Sequence, residues 1–64
     1  MKFIHIRNRA YDRYVREDNE VCIEQRMVRI NGRFCGRWCV YADCGGDVVE
    51  MFKTLKAAKV AYSD

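Results

Sequence analysis

Cysteine and histidine are the residues of this chain that can hold a metal ion. Cys22, Cys35, Cys39 and Cys44, together with His5, supply enough ligands for a tetrahedral zinc site. The three-residue gap between Cys35 and Cys39 has a spacing typical of zinc knuckles, but no second, separate close pair accompanies it. We therefore expect no cofactor, and a small zinc-stabilised domain is the lesser alternative.

The same residues offer little for catalysis. His5 is the single histidine of the chain, and no orienting group or oxyanion-hole loop accompanies a cysteine–histidine pair. The glycine pair Gly45 and Gly46 lacks the lysine and the long following helix of a phosphate-binding loop. A chain of 64 residues is also too short to enclose a deep substrate cavity and keep a core. We expect a protein that is not an enzyme.

Arginine shows the clearest functional pattern. Residues 25–42 contain four arginines and no acidic residue, namely Arg26, Arg29, Arg33 and Arg37. The guanidinium group forks onto phosphates and onto guanine edges, so a hairpin that displays these arginines on its outer face can bind nucleic acid, with DNA as the main expectation. Tyr41 or Tyr14 would stack or anchor. Arg13 belongs to a second basic group, which nearby carboxylates dilute.

A partner protein is the principal alternative target for this surface. Arginine, tyrosine and methionine are enriched at interface hot spots, and Tyr14, Tyr41 and Met27 are available. The net charge of +3 is modest for a nucleic-acid-binding domain. The alternative function is therefore an inhibitor or accessory factor of the phage or mobile-element type that occludes a host enzyme.

The first half of the chain predicts two strands with an uncertain segment between them. Alternation over residues 2–7 indicates a short edge strand. Residues 8–20 carry Tyr11, Tyr14 and Val15 at helical spacing, which suits a short helix or an ordered loop. Residues 21–30 are apolar on both faces and predict a central strand.

The second half predicts a hairpin, a further strand and a helix. Asn31 and Gly32 favour a type I′ turn, but a loop that extends to Gly36 is an alternative. Residues 37–43 alternate, with Trp38, Val40 and Ala42 on one side and Arg37, Cys39 and Tyr41 on the other. Residues 44–47 turn, and residues 48–52 form the last strand. Thr54 is a suitable N-cap for a helix that begins near Leu55 and reaches residue 62.

These elements predict a single α+β domain, in which an antiparallel sheet of three to four strands carries a C-terminal helix on one face. Residues 1–20 would supply the edge strand and the uncertain segment, residues 21–52 the sheet, and residues 54–62 the helix. Trp38, Phe52, Leu55 and Ala58 would build the core.

The order of hairpin, glycine turn, strand and short helix, with Trp38 in the middle strand and Phe52-x-Thr54 before the helix, resembles the three-stranded-sheet-plus-helix DNA-binding domains. These include the arm-type binding domains of phage and transposon integrases, and plant AP2-type domains share the architecture. The resemblance covers residues 21–62 and implies that the outer face of the sheet lies in the major groove. The chain departs from it by the absence of an integrase catalytic domain and by the additional N-terminal segment.

The N-terminal residues predict the location of the protein. Residues 1–7 are apolar only briefly before charges return, which does not suit a secretory signal or a membrane span. We expect a cytoplasmic protein without membrane contact, present as a monomer or homodimer, whose cysteines are free thiols in a reducing compartment.

Overall fold

The computed structural model describes residues 1–7, 12–42 and 46–63. Its strands are β1 (Phe3–Arg7), β2 (Asp12–Arg16), β3 (Val21–Ile30), β4 (Arg33–Ala42) and β5 (Val48–Phe52), and its helix is α1 (Leu55–Ala61). Each strand pairs antiparallel with the next one along the chain, so the sheet order is β1-β2-β3-β4-β5. The predicted edge strand near the N-terminus is confirmed, because β1 lies at one edge.

The predicted fold class is wrong. The sheet has five strands instead of three or four, and strands make up 62% of the described residues, so the fold is mostly β instead of α+β. The additional strand is β2, which lies where a short helix or loop was expected. Tyr14 and Val15 are consecutive residues of a strand that β1 and β3 pair on both sides, and their side chains lie on opposite faces of the sheet, so the ladder overrides their helical spacing. Tyr11 lies outside the described residues.

The hairpin between β3 and β4 turns at Asn31 and Gly32, which decides between the two predicted turns. Both residues have positive φ, 51° and 79°, as a type I′ turn requires. The two strands pair over ten residues each, from Val21 opposite Ala42 to Ile30 opposite Arg33. Each strand of this hairpin is twice as long as β1, β2 or β5, which have five residues each.

Only part of this long hairpin lies within the five-stranded sheet. The pairing of β2 with β3 ends at Glu24, and the pairing of β5 with β4 ends at Trp38. Residues 25–37 therefore extend as a ribbon of two strands that no other described strand flanks. We call residues 25–37 the arm and the remaining described residues the body. At about 3.3 Å per residue the arm reaches about 20 Å beyond the body.

The two faces of the sheet differ in what lies on them. The helix α1 packs on the face that carries Ile23, Val40 and Phe52, which we call the covered face. The other face, which carries Cys22, Glu24 and the residues paired with them, is the open face. Ile23 and Val40 are fully buried, and burial of each side chain stabilises the fold by about 1.5–3 kcal/mol.

The C-terminal helix begins and docks as predicted. The Thr54 hydroxyl accepts a hydrogen bond from the amide of Ala57 at 3.2 Å, which caps the first turn. Ala58 is fully buried against Val21, Ile23 and Val40, because its small side chain lets the helix approach the sheet closely. Leu55 and Trp38 pack against the same cluster.

A buried arginine ties the end of the helix to β2. Arg16 donates to both carboxylate oxygens of Asp18, from Nε at 2.9 Å and from Nη2 at 2.7 Å, and its Nη1 donates to the carbonyl of Tyr62 at 3.0 Å. The Arg16 guanidinium lowers the pKa of the Asp18 carboxyl, mainly through these hydrogen bonds. The N-terminal ammonium group donates to the carbonyl of Ser63, which holds the start of β1 beside the same end of the helix.

The last strand contains a register shift that sequence alternation did not predict. Glu50 pairs with Val40, but Val48 pairs with Tyr41, so Val49 is an extra residue that bulges from the ladder. Val48 consequently shares the open face with Met51 instead of facing the same side as Glu50. Among the described residues, no helix is long and apolar enough to cross a membrane, since α1 has only seven residues.

Candidate nucleic-acid interface

The arginines predicted to bind lie on the arm but not all on one face. Arg26 and Arg37 are directly opposite each other on the open face, and Arg33 lies on that face near the tip. Arg29 lies on the other side of the ribbon, opposite Phe34. The expectation of a single arginine-bearing face is therefore wrong for Arg29, because residues at odd spacings along one strand alternate between its faces.

A buried carboxylate balances part of this positive charge. Glu24 lies on the open face at the base of the arm, and its Oε1 accepts from Nη2 of Arg26 at 3.0 Å. Its Oε2 lies 3.6 Å from Nε of Arg13, whose Nη2 also donates to Sγ of Cys22 at 3.3 Å. Arg13 and Arg26 thus neutralise a carboxylate that would be costly to bury alone.

The remaining arginines of the arm have no carboxylate beside them in the described part of the chain. Nη1 of Arg37 donates to the carbonyl of Gly36 at 2.8 Å, and no ion pair involves Arg29, Arg33 or Arg37 among the described residues. Arg29 and Arg33 are exposed. These three guanidinium groups keep donors available for phosphate oxygens.

The charge of the molecule is concentrated in the arm. Residues 25–37 carry +4, whereas the whole chain carries +3, so all other residues together sum to −1. This separation creates a positive potential around the arm, which steers the approach of a polyanion toward that end of the molecule.

Two large apolar side chains accompany the arginines of the arm. Met27 and Phe34 lie on the same side of the ribbon as Arg29, and they are 65% and 71% exposed. The sulfur of Met27 lies 3.8 Å from the point where a Cβ atom would stand at Gly36. The Met27 side chain therefore lies over Gly36, at a distance that would be an ordinary contact even with a Cβ atom there.

The two candidate tyrosines have different surroundings. Tyr14 lies on the covered face of the body, where its ring stacks on His5 with centroids 4.4 Å apart and meets Trp38 edge-on at 6.0 Å. The ammonium group of Lys59 lies 4.3 Å from the centre of the same ring. These contacts make Tyr14 a packing residue, and they separate it from the open-face arginines. Tyr41 is half-buried on the open face, opposite Cys22.

The cysteines do not form a metal site among the described residues. Cys35 and Cys39 lie on the same side of the extended strand β4, where a separation of four residues spans about 13 Å. Their spacing suits a zinc knuckle only when the chain turns between them. No group of three metal ligands occurs among the residues that the structure describes. Cys44 lies outside those residues.

The chemical states of the cysteines also differ from the expectation. Cys35 and Cys39 are free thiols, as predicted, but Cys22 is disulfide-bonded, so that part of the expectation is wrong. Burial raises the pKa of the Cys39 thiol, and Arg26 opposes this rise while Glu24 adds to it. Cys39 therefore stays protonated near neutral pH. His5 lies on the covered face, 3.1 Å from the Asp12 carboxylate, and the sheet separates it from Cys35 and Cys39.

Sequence reasoning missed Glu24 and Phe34, and it considered Met27 only for a protein interface. The two-residue spacing of Glu24 and Arg26 on one strand already implies a shared face, so their ion pair had a sequence signal. No sequence signal indicated a role for Phe34, because the predicted start of β4 was left open between Arg33 and Arg37.

Comparison of the chain with known protein families, with curated proteins and with solved structures finds no match. The resemblance to sheet-plus-helix DNA-binding domains therefore stays a prediction.

Proposed function

We propose that this protein binds duplex DNA through its arm and catalyses no reaction. The observation that carries the proposal is the projecting two-stranded ribbon on which Arg29, Arg33 and Arg37 lie without a carboxylate partner in the described chain. A ribbon of two antiparallel strands has dimensions that the major groove of B-DNA admits. Because the arginine side chains project from both sides of the ribbon, they can reach phosphates on both walls of a groove.

The pairing of Arg26 with Arg37 supports an anionic target. Like charges directly opposite each other destabilise a strand pair, and Glu24 offsets this repulsion on one side only. A phosphate group between the two guanidinium groups would remove the repulsion. The arrangement lowers the stability of the free arm and raises its affinity for an anion.

The proposal predicts a strong and localised salt dependence. We expect the triple variant Arg29→Gln, Arg33→Gln and Arg37→Gln to bind a labelled duplex of 20 base pairs at least about 100-fold more weakly at low salt. The slope of log K against log salt should fall by about 2.7, which corresponds to three lost phosphate contacts. Fluorescence anisotropy titrations at several salt concentrations measure both quantities.

The matched control removes the same charge from the body. Lys2, Lys53 and Lys56 are exposed outside the arm. Their triple change to Gln should alter the slope of log K against log salt by less than about 0.9, the value for one phosphate contact. Equal losses in the two triple variants would mean that binding is diffuse and does not use the arm. If the wild-type protein binds no duplex at low salt, the proposal is wrong.

A second candidate function is binding to a partner protein, such as a host enzyme that the chain would occlude. It is favoured by the exposed apolar side chains of the edge strand β5, namely Val48, Val49 and Met51. An open sheet edge with apolar flanks suits the addition of a strand from a partner. A pull-down after nuclease treatment tests this function. This second function predicts that the wild-type protein retains a defined partner in the pull-down and that the Met51→Lys variant does not.

A further inference from the structure

Phe34 stands where a side chain of the arm would meet the bases of a bound duplex. It is the second residue of β4, close to the Asn31–Gly32 turn, and 71% of it is exposed. A ring that served to pack the fold would be buried, as Phe52 partly is against the core. The Phe34 ring instead projects from a region that no described element covers.

The neighbours of Phe34 suit contact with nucleic acid. Arg29 lies directly across the ribbon from it, and Arg33 precedes it along the chain with its side chain on the opposite side. A ring that meets a base pair at this place would thus have a guanidinium group on each side of the ribbon to hold the flanking phosphates. The apolar ring of Phe34 and the positive charges of Arg29 and Arg33, which would attract a polyanion, therefore lie close together near the tip of the arm.

Met27 extends the apolar surface of Phe34. The two residues are diagonal neighbours on one side of the ribbon, and the Met27 thioether lies over Gly36 beside Phe34. Phenylalanine and methionine are among the apolar side chains that minor-groove-binding proteins insert between base steps to unstack and kink a duplex, and the same apolar character suits a base step approached from the major groove. The other exposed apolar residues on strands lie on β1 and β5, away from the arginines of the arm.

We propose that Phe34, supported by Met27, acts as a wedge that enters a base step of duplex DNA and unstacks it, while the arginines of the arm hold the phosphates. This inference rests on the proposed function, since it needs the arm to bind a duplex. It adds that the side of the ribbon with Met27, Arg29 and Phe34 faces the bases. The bound DNA is consequently bent.

The test uses duplexes with 2-aminopurine at successive positions, because the fluorescence of this base rises when it is unstacked. Binding of the wild-type protein should raise the fluorescence at one or two adjacent positions and shorten the end-to-end distance measured by energy transfer between dyes. The Phe34→Ala variant should bind about tenfold more weakly, with the fluorescence rise lost and the salt slope unchanged. Phe34→Leu, which keeps an apolar wedge, should retain part of the rise.

The outcomes separate this inference from the proposed function. Duplex binding without any change in 2-aminopurine fluorescence overturns the wedge and leaves the arginine-mediated function intact. A fluorescence rise that persists in Phe34→Ala also overturns it. Tighter binding of single strands than of duplex would show that the ring stacks on unpaired bases and does not open a base step. Absence of wild-type binding overturns both proposals.

Discussion

The body and the arm share the strands β3 and β4 but are stabilised in different ways. Residues 21–24 of β3 are all buried, and the next three residues of the same strand are all exposed. The change occurs where the pairing of β2 with β3 ends. Side chains at the body end of β3 are therefore packed, whereas most side chains in the arm are exposed.

This difference has an energetic basis. The body buries an apolar cluster that includes Ile23, Val40 and Ala58, and this burial opposes the entropy cost of folding. An isolated hairpin of two strands is only marginally stable in water. The arm keeps its shape because its strands continue out of the body and because the Asn31–Gly32 turn has a backbone that suits its twist. We expect the arm to open locally more often than the body.

The largest expected effect distinguishes the two regions within one strand. Ile23 and Met27 lie on the same side of β3, four residues apart, but one is fully buried and the other is 65% exposed. Ile23→Ala should lower the free energy of unfolding by about 2–5 kcal/mol, because it leaves a cavity beneath the helix. Met27→Ala should change it by less than about 0.5 kcal/mol. Urea unfolding followed by circular dichroism measures both, and similar losses in the two variants would contradict the division into body and arm.

An intermediate effect should be confined to the arm. Gly32 has φ of +79°, so Gly32→Ala forces an alanine into a left-handed conformation at a cost of about 1 kcal/mol. Hydrogen exchange of the amides in the arm should become faster, while exchange at Ile23 and Val40 stays the same. The matched control is Gly36→Ala, since a Cβ there meets only the Met27 sulfur at 3.8 Å and no positive φ is required. Faster exchange throughout the body of Gly32→Ala would mean that the arm and body unfold together.

The smallest effect concerns pH and belongs to the body. The pKa of Asp18 is lower in the folded protein because Arg16 donates hydrogen bonds to its carboxylate. A carboxyl group whose pKa falls on folding stabilises the protein at pH values above its unfolded pKa of about 4, and this contribution is lost as the pH falls through the lower folded value. Asp18→Asn should therefore be less stable than the wild type at pH 7, and the difference should shrink as the pH falls below about 4.

The control for this experiment is Asp47→Asn, which removes an exposed carboxylate from the β5 end of the body. Its stability should follow the wild-type pH profile in thermal unfolding. The arm contains no acidic residue and no histidine. If the stability of Asp18→Asn depended on pH in the same way as that of the wild type, the role assigned to the ion pair between Arg16 and Asp18 would be contradicted.

The sequence predicted the elements that depend on local chemistry. The Thr54 cap and the helix that follows it, the alternation of Trp38 with Cys39, and the first edge strand agree with the structure. It failed at β2, because a five-residue strand with charged neighbours has little local signal and is specified by the strands on both sides of it. It also failed at the arginines, although the three-residue spacing of Arg26 and Arg29 on one predicted strand already implies opposite faces.

By itself, the sequence determined that residues 25–42 contain four arginines without a carboxylate and that Asn31 and Gly32 can turn a hairpin, because composition and turn preference are local properties. Only the tertiary structure decided that the flanking strands stop at Glu24 and Trp38, and that the hairpin consequently projects as an arm with Phe34 exposed. Strand pairing and helix docking join residues that are distant in the chain, and the ends of those contacts determine which side chains stay uncovered.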